Sequence, residues 1–135
     1  MDARITKLLK EAKTIAVVGI SDKPDRPSND VARYLIERGY DVIPVNPALE
    51  SVLGRKCFKD LASIGKPVDI VDVFRRSDAV PEIAEEAVAN RAGALWLQEG
   101  VRHDEAAGRA EKAGLVVVQD LCIKKVLMAL GGRPS

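Results

Sequence analysis

The feature that most constrains this chain is a set of short, near-continuous apolar runs at residues 15–20, 40–45, 68–74, 94–97 and 115–118. A strand with one face in water alternates apolar and polar residues, whereas a strand covered on both faces does not. The runs are rich in Val and Ile and read as buried strands of a parallel sheet. Between them apolar residues recur at helical spacing, as with Val31, Ala32, Leu35 and Ile36, and again with Val80, Ile83, Ala84, Ala87 and Val88. Strand alternating with helix along the whole length predicts a doubly wound, Rossmann-like parallel sheet of five to six strands with helices on both faces. At 135 residues one domain, 1–135, is long enough to bury its own core.

The punctuation sets the element ends. Ile5, Leu8, Leu9 and Ala12 place a helix at about residues 3–11, and Ser28 is a candidate cap for the helix that Gly39 closes. Pro44 argues against ladder pairing on both sides of the second strand. Residues 55–58 are at most a short strand after a turn at Gly54, and residues 61–64 form a helical turn ended by Gly65. Asp69 and Asp72 are expected near the ends of their strand or in polar surroundings, and Ser77 or Asp78 should cap the next helix. Helices are expected at about 104–113, stopped by Gly114, and at 120–130.

In such a sheet ligands sit outside the carboxyl ends of the strands, where the strand order reverses. Those ends carry the polar and Gly-bearing segments: Gly19-Ile20-Ser21, Asn46-Pro47, Phe74-Arg75-Arg76 and Gln98-Glu99-Gly100. Beyond the first, Lys23 and Arg26 lie beside the helix start at Pro27-Ser28. A strand, a turn and a helix N-terminus with cations beside it suit a phosphate. Arg26 favours an anion there, because the helix dipole disfavours a cation that has no such partner. Of Arg75 and Arg76, Arg75 is the candidate.

With 21 Lys and Arg against 20 Asp and Glu, the net charge of +1 gives no general field for nucleic acid or an anionic membrane. No run approaches the roughly 20 apolar residues of a membrane span, and the charged amphipathic start does not resemble a signal peptide, so a cytoplasmic location is expected. Cys57 and Cys122 have no CxxC or His partner at ligand spacing; both are expected to be free thiols, with no metal site. The first loop has neither G-x-G-x-x-G nor a triphosphate P-loop, and Asn46-Pro47 stands where an NAD site wants an acidic residue. The cations therefore favour a ligand with more phosphate than NAD.

Five segments in order carry a resemblance: Ala16 to Ser21 with Arg26-Pro27-Ser28, Gly39 to Pro47, Val68 to Arg75, Leu95 to Gly100, and Asp120-Leu121-Cys122. Together they resemble the small stand-alone CoA-binding proteins of Rossmann-like fold, related to the CoA-binding domain of the succinyl-CoA synthetase α subunit. The resemblance spans residues 10–125 and implies coenzyme A as the ligand. It implies that Gly19, Ser21, Arg26 and Ser28 border the diphosphate, with Ile20 and Lys23 of the same loop counted among the ligand-binding residues. Asn46 and Pro47 would flank the adenosine. Val73, Phe74 and Arg75 would line the adenine and phosphate side, and Gln98 and Gly100 would lie toward the pantetheine. Cys57 departs from the pattern, standing where an aromatic residue is expected, with Phe58 next to it.

The sole histidine, His103, sits near a helix start and has no triad partners, and the Gly-rich phosphohistidine motif of the related ligases is missing. The reading is thus binding of CoA or a short acyl-CoA without chemistry of its own. An NAD(P)-dependent oxidoreductase or redox sensor on the same fold is the alternative, as is a CoA-binding subunit of a partner enzyme. A homodimer stays open. Cys122, near the final helix, is either a small core residue or a thiol able to form a mixed disulfide with CoA.

Overall fold

In the computed structural model, which describes residues 2–135, the strands are β1 (Thr14–Val18), β2 (Asp41–Val45), β3 (Ser51–Val52), β4 (Arg55–Lys56), β5 (Ile70–Val73), β6 (Ala94–Leu97) and β7 (Val116–Val118). The helices are α1 (Ala3–Glu11), α2 (Pro27–Glu37), α3 (Val80–Asn90), α4 (Asp104–Lys112) and α5 (Ile123–Ala129). Five strands form one parallel sheet in the order β2-β1-β5-β6-β7, the Rossmann-like α/β arrangement the apolar runs require. β3 and β4 pair separately as a two-stranded antiparallel hairpin.

Alternate residues of each strand feed two cores. Ile15 and Val17 pack with Leu9 of α1, Leu35 of α2 and Leu127 of α5, while Ala16 and Val18 pack with Ile83 of α3 and Ala110 of α4. Both sheet faces are thereby covered, which is why the strand sequences do not alternate. Pro44 sits in β2, at the sheet edge. Its carbonyl accepts the Phe58 N–H at 2.9 Å on the side away from β1, so the missing Pro N–H costs the main ladder nothing.

Several helix starts differ from expectation because the capping side chains have other partners. Ser28 lies inside α2, after Arg26 and Pro27, and its hydroxyl accepts the Ser21 N–H at 2.9 Å. Ser77 opens a 3-10 turn ahead of α3 and accepts the Arg102 N–H at 3.0 Å, while Asp78 pairs with Arg76. α5 begins at Ile123 because Asp120 adopts a left-handed backbone, φ 56°. His103 does cap α4, its Nδ1 accepting the Ala106 N–H at 3.2 Å.

The two aspartates around β5 have opposite surroundings. Asp69 precedes the strand and accepts the N–H groups of Lys13 and Thr14 at 2.7 and 3.0 Å. Burial pushes its carboxyl up, but these bonds together with the Thr14 hydroxyl outweigh burial and hold it below its ordinary value. Asp69→Ala should therefore cost about 1–3 kcal/mol in denaturant unfolding at neutral pH. That difference should shrink as pH falls below the unfolded value of 3.8, where the stabilising carboxylate becomes protonated. Asp72, by contrast, is 0% exposed within the apolar core, and neither carboxylate oxygen has a hydrogen-bond partner. The expectation of polar surroundings fails for it.

Candidate functional site

The sheet order reverses between β1 and β5: the chain leaves β1 for β2 on one side, and the later strands stack on the other. A crevice opens at the carboxyl ends of strands placed this way. It holds a cavity of about 520 Å³. Gly19 and Ser21 after β1, Phe74, Arg75 and Arg76 after β5, and Gln98, Glu99 and Val101 after β6 line it. Arg26, Pro27, Ser28 and Val31 of the α2 start, and Cys122 before α5, complete the wall.

The loop after β1 is tied to the first turn of α2. Ser28 Oγ accepts the Ser21 N–H, and Asn29 Nδ2 donates to the Ser21 carbonyl at 3.0 Å. Arg33, one turn further, donates to Asn29 Oδ1 at 3.0 Å and to the Pro24 carbonyl at 2.9 Å. Pro27 has no N–H, and the Ser28 N–H has no acceptor among the described residues, so the helix start leaves a donor at the cavity. Such a start attracts negative charge. Gly19 shapes the floor: its φ is +86°, and a Cβ there would lie 2.6 Å from the Phe74 carbonyl oxygen and 2.8 Å from Arg75 Cδ. The turns leaving β1 and β5 thus touch, with the Arg75 side chain laid across Gly19.

Charge pairing separates the cations. Arg76 is bound to Asp78 at 2.8 Å, and Lys125 holds Glu99 at 2.9 Å. Lys23, Arg26 and Arg75 are exposed and make no salt bridge among the described residues. The two arginines on this cavity without a carboxylate partner are therefore Arg26 and Arg75, from opposite sides of the crevice.

A second cavity, of about 270 Å³, adjoins the first across Gly19 and Arg75 and includes Val45, Pro47, Lys59 and Glu82. A third, of about 470 Å³ between Leu61, Lys66, Glu86 and Asn90, lies beside the connection entering β5, at the opposite end of that strand from the crevice. Its Asn90 amide is engaged by the Val68 N–H and the Lys66 carbonyl.

Of the residues singled out in the sequence, Gly19, Ser21, Arg26, Ser28, Phe74, Arg75 and Gln98 meet at the larger cavity, and Pro47 lines the smaller. Ile20 and Val73 are 0% exposed and line neither. The Asn46 side chain is engaged within the fold, donating to the Ile20 carbonyl at 2.8 Å and accepting the Ala48 N–H at 2.8 Å. Lys23 and Gly100 lie outside both linings, the Gly100 N–H donating to Asp120 Oδ1 at 2.7 Å. Val31, Val101 and Lys59 were not singled out, and Pro27 only as part of the helix start. Val31 carries only a core signal in the sequence, and Lys59 sits in a connection without periodicity. Among the described residues no group of three His, Cys, Asp or Glu is placed to hold a metal ion, and no helix is long and apolar enough to cross a membrane.

The family profile described as a CoA binding domain matches residues 13–128. This chain belongs to that CoA-binding domain family. The chain is 44% identical over 122 residues to the uncharacterised protein YneT of Bacillus subtilis, covering 90% of each. It is 30% identical over 91 residues to the ADP-forming acetate–CoA ligase II of Archaeoglobus fulgidus; the match takes in 65% of this chain and 14% of that enzyme. A solved structure of a hypothetical protein from Pyrococcus horikoshii superimposes with a TM-score of 0.93 at 39% identity, over 98% of this chain and 93% of that one. The CoA-binding family member is thus similar both to small proteins of its own length and to one part of a much longer ligase.

Proposed function

We propose that this chain binds CoA or a short acyl-CoA in the crevice at the β1/β5 reversal, without chemistry of its own. The observation that carries this reading is the meeting of Arg26, Arg75 and the open start of α2 on one cavity, with neither arginine in a salt bridge among the described residues. A phosphate-rich ligand supplies the missing negative charge, and charge-assisted bonds of this kind are the strong ones. In this reading the diphosphate lies against Ser21, Ser28 and Arg26, and Arg75 reaches the phosphate and adenine side. The adenosine occupies the smaller cavity at Pro47, where Lys59 can meet a further phosphate. The similarity to one segment of an acetate–CoA ligase favours a second role, in which the bound CoA is presented to a partner enzyme.

Calorimetric titration with CoA, dephospho-CoA and NAD in parallel tests the reading. CoA should bind most tightly, dephospho-CoA more weakly and NAD least. Arg26→Ala and Arg75→Ala should each weaken CoA about tenfold or more, on the 1.5–3 kcal/mol scale of hydrogen bonds to charged groups. Both side chains are exposed, so the melting temperature of each variant should stay near that of the parent. NAD binding as tightly as CoA would turn the assignment toward a nicotinamide-dependent protein.

A further inference from the structure

The segment leading into α5 brings a thiol to the larger cavity. Cys122 lines it together with Arg26, Ser28 and Gln98, is half-buried, and forms no disulfide. Its neighbours on both sides are fixed to β6 and the residue after it. The Leu121 carbonyl accepts Trp96 Nε1–H at 2.8 Å, the Leu121 N–H donates to the Leu97 carbonyl at 3.2 Å, and the Ile123 N–H donates to Gln98 Oε1 at 3.2 Å. The thiol therefore has a set place on the wall. Gln98 points the same way: it is 5% exposed, its Oε1 is held by Ile123, and its Nε2 has no acceptor among the described residues. The Nε2 donor thus reaches the open cavity and is free to meet an acceptor on a ligand there.

We propose that Cys122 captures the ligand's sulfur end as a mixed disulfide when CoA arrives in its disulfide form, with Gln98 Nε2–H donating to an amide carbonyl of the arm that carries the sulfur. This rests on the CoA reading above. The Cys122 thiol loses its proton to solvent, and the thiolate attacks one sulfur of the CoA disulfide. The sulfur–sulfur bond breaks, and the second CoA leaves as a thiolate that takes up a proton. One disulfide is exchanged for another, and the CoA disulfide is the only oxidant required. Cys57 is the internal comparison: it is 7% exposed in the core, and burial pushes its thiol up, so it should not react.

The intact chain is incubated with CoA disulfide, and in parallel with glutathione disulfide at equal concentration, then analysed by intact mass and peptide mapping. CoA binding to the reduced protein is measured on the same preparation. One CoA adduct on Cys122, removed by dithiothreitol and formed at least tenfold faster than the glutathione adduct, is the expected result. Gln98→Leu should slow capture of CoA disulfide about fivefold more than capture of glutathione disulfide, because loss of the Ile123 bond affects both and loss of the Nε2 donor affects CoA alone. Calorimetric CoA binding with no adduct, or with an adduct on Cys57 alone, overturns the capture and leaves the binding reading standing. Equal rates with both disulfides overturn it too, because the cavity then contributes nothing. If reduced CoA does not bind, both readings fall.

Discussion

Gly19→Ala is expected to lower stability by about 2–5 kcal/mol and to weaken CoA at least tenfold in the protein that remains folded. Two costs add. A left-handed backbone disfavours a side chain by about 1–2 kcal/mol. A methyl group 2.6 Å from the Phe74 carbonyl oxygen and 2.8 Å from Arg75 Cδ must also force the turns leaving β1 and β5 apart, an overpacking cost of about 1–3 kcal/mol. The backbone oxygen cannot swing aside as a side chain can, and the turn it belongs to carries Arg75. Gly93→Ala is the matched comparison, because its Cβ would meet the Asp69 carbonyl oxygen at 2.8 Å, where β6 begins. Its backbone is not left-handed, so it should carry the overpacking cost alone, about 1–3 kcal/mol, and leave the CoA dissociation constant within about twofold at temperatures where the protein is folded. Denaturant unfolding and calorimetry on both variants check this; equal loss of affinity in the two would remove Gly19 from the site.

The second large effect lies beneath the cavity floor. Asp72 is fully buried two residues before Phe74, with both oxygens unpartnered, and burial raises its carboxyl well above the ordinary value of 3.8. The folded protein then holds a proton that the unfolded chain has released. Its contribution is fully present below 3.8 and declines as pH rises toward the folded value, by about 1.4 kcal/mol per pH unit. Asp72→Asn removes that slope. The stability of the variant relative to the parent should therefore climb with pH above about 4, and Asp72→Val should exceed the parent by about 1–3 kcal/mol near neutral pH. Urea unfolding from pH 4 to 8 reads the difference directly. A difference that stays flat across this range would mean that Asp72 is solvated or paired after all.

The strands were legible because a sheet buried on both faces has to be written as unbroken apolar runs, and five such runs leave little else to build. The crevice followed from the same reading, since it lies at the polar ends of those runs. Helix starts were less legible. A Ser or Asp before an apolar stripe signals a cap only if its side chain stays local, whereas Ser28 holds the loop after β1 and Ser77 holds the chain entering α4. Asp72 does lie near the end of its strand, but its apolar surroundings were not legible for a related reason: nothing in Val-Asp-Val reports what lies across the sheet from it. Local pattern shows which residues share a face, and long-range bonds decide what their polar atoms do. Arg26 and Arg75, nearly fifty residues apart in the sequence, share a cavity only because the sheet order reverses between them.

Pro44 and Phe58 also fix how this molecule can lengthen its sheet. On the β2 margin the proline offers no donor, and the Phe58 backbone already occupies the Pro44 carbonyl and the Asn46 N–H, the latter at 2.8 Å. That margin is therefore closed to an incoming strand at its Pro44–Asn46 end. The opposite margin is β7, three residues long, with Val116 and Val117 half-buried. Strand addition, whether by a second copy or by another chain, is thus directed to β7, and its short length keeps that address weak.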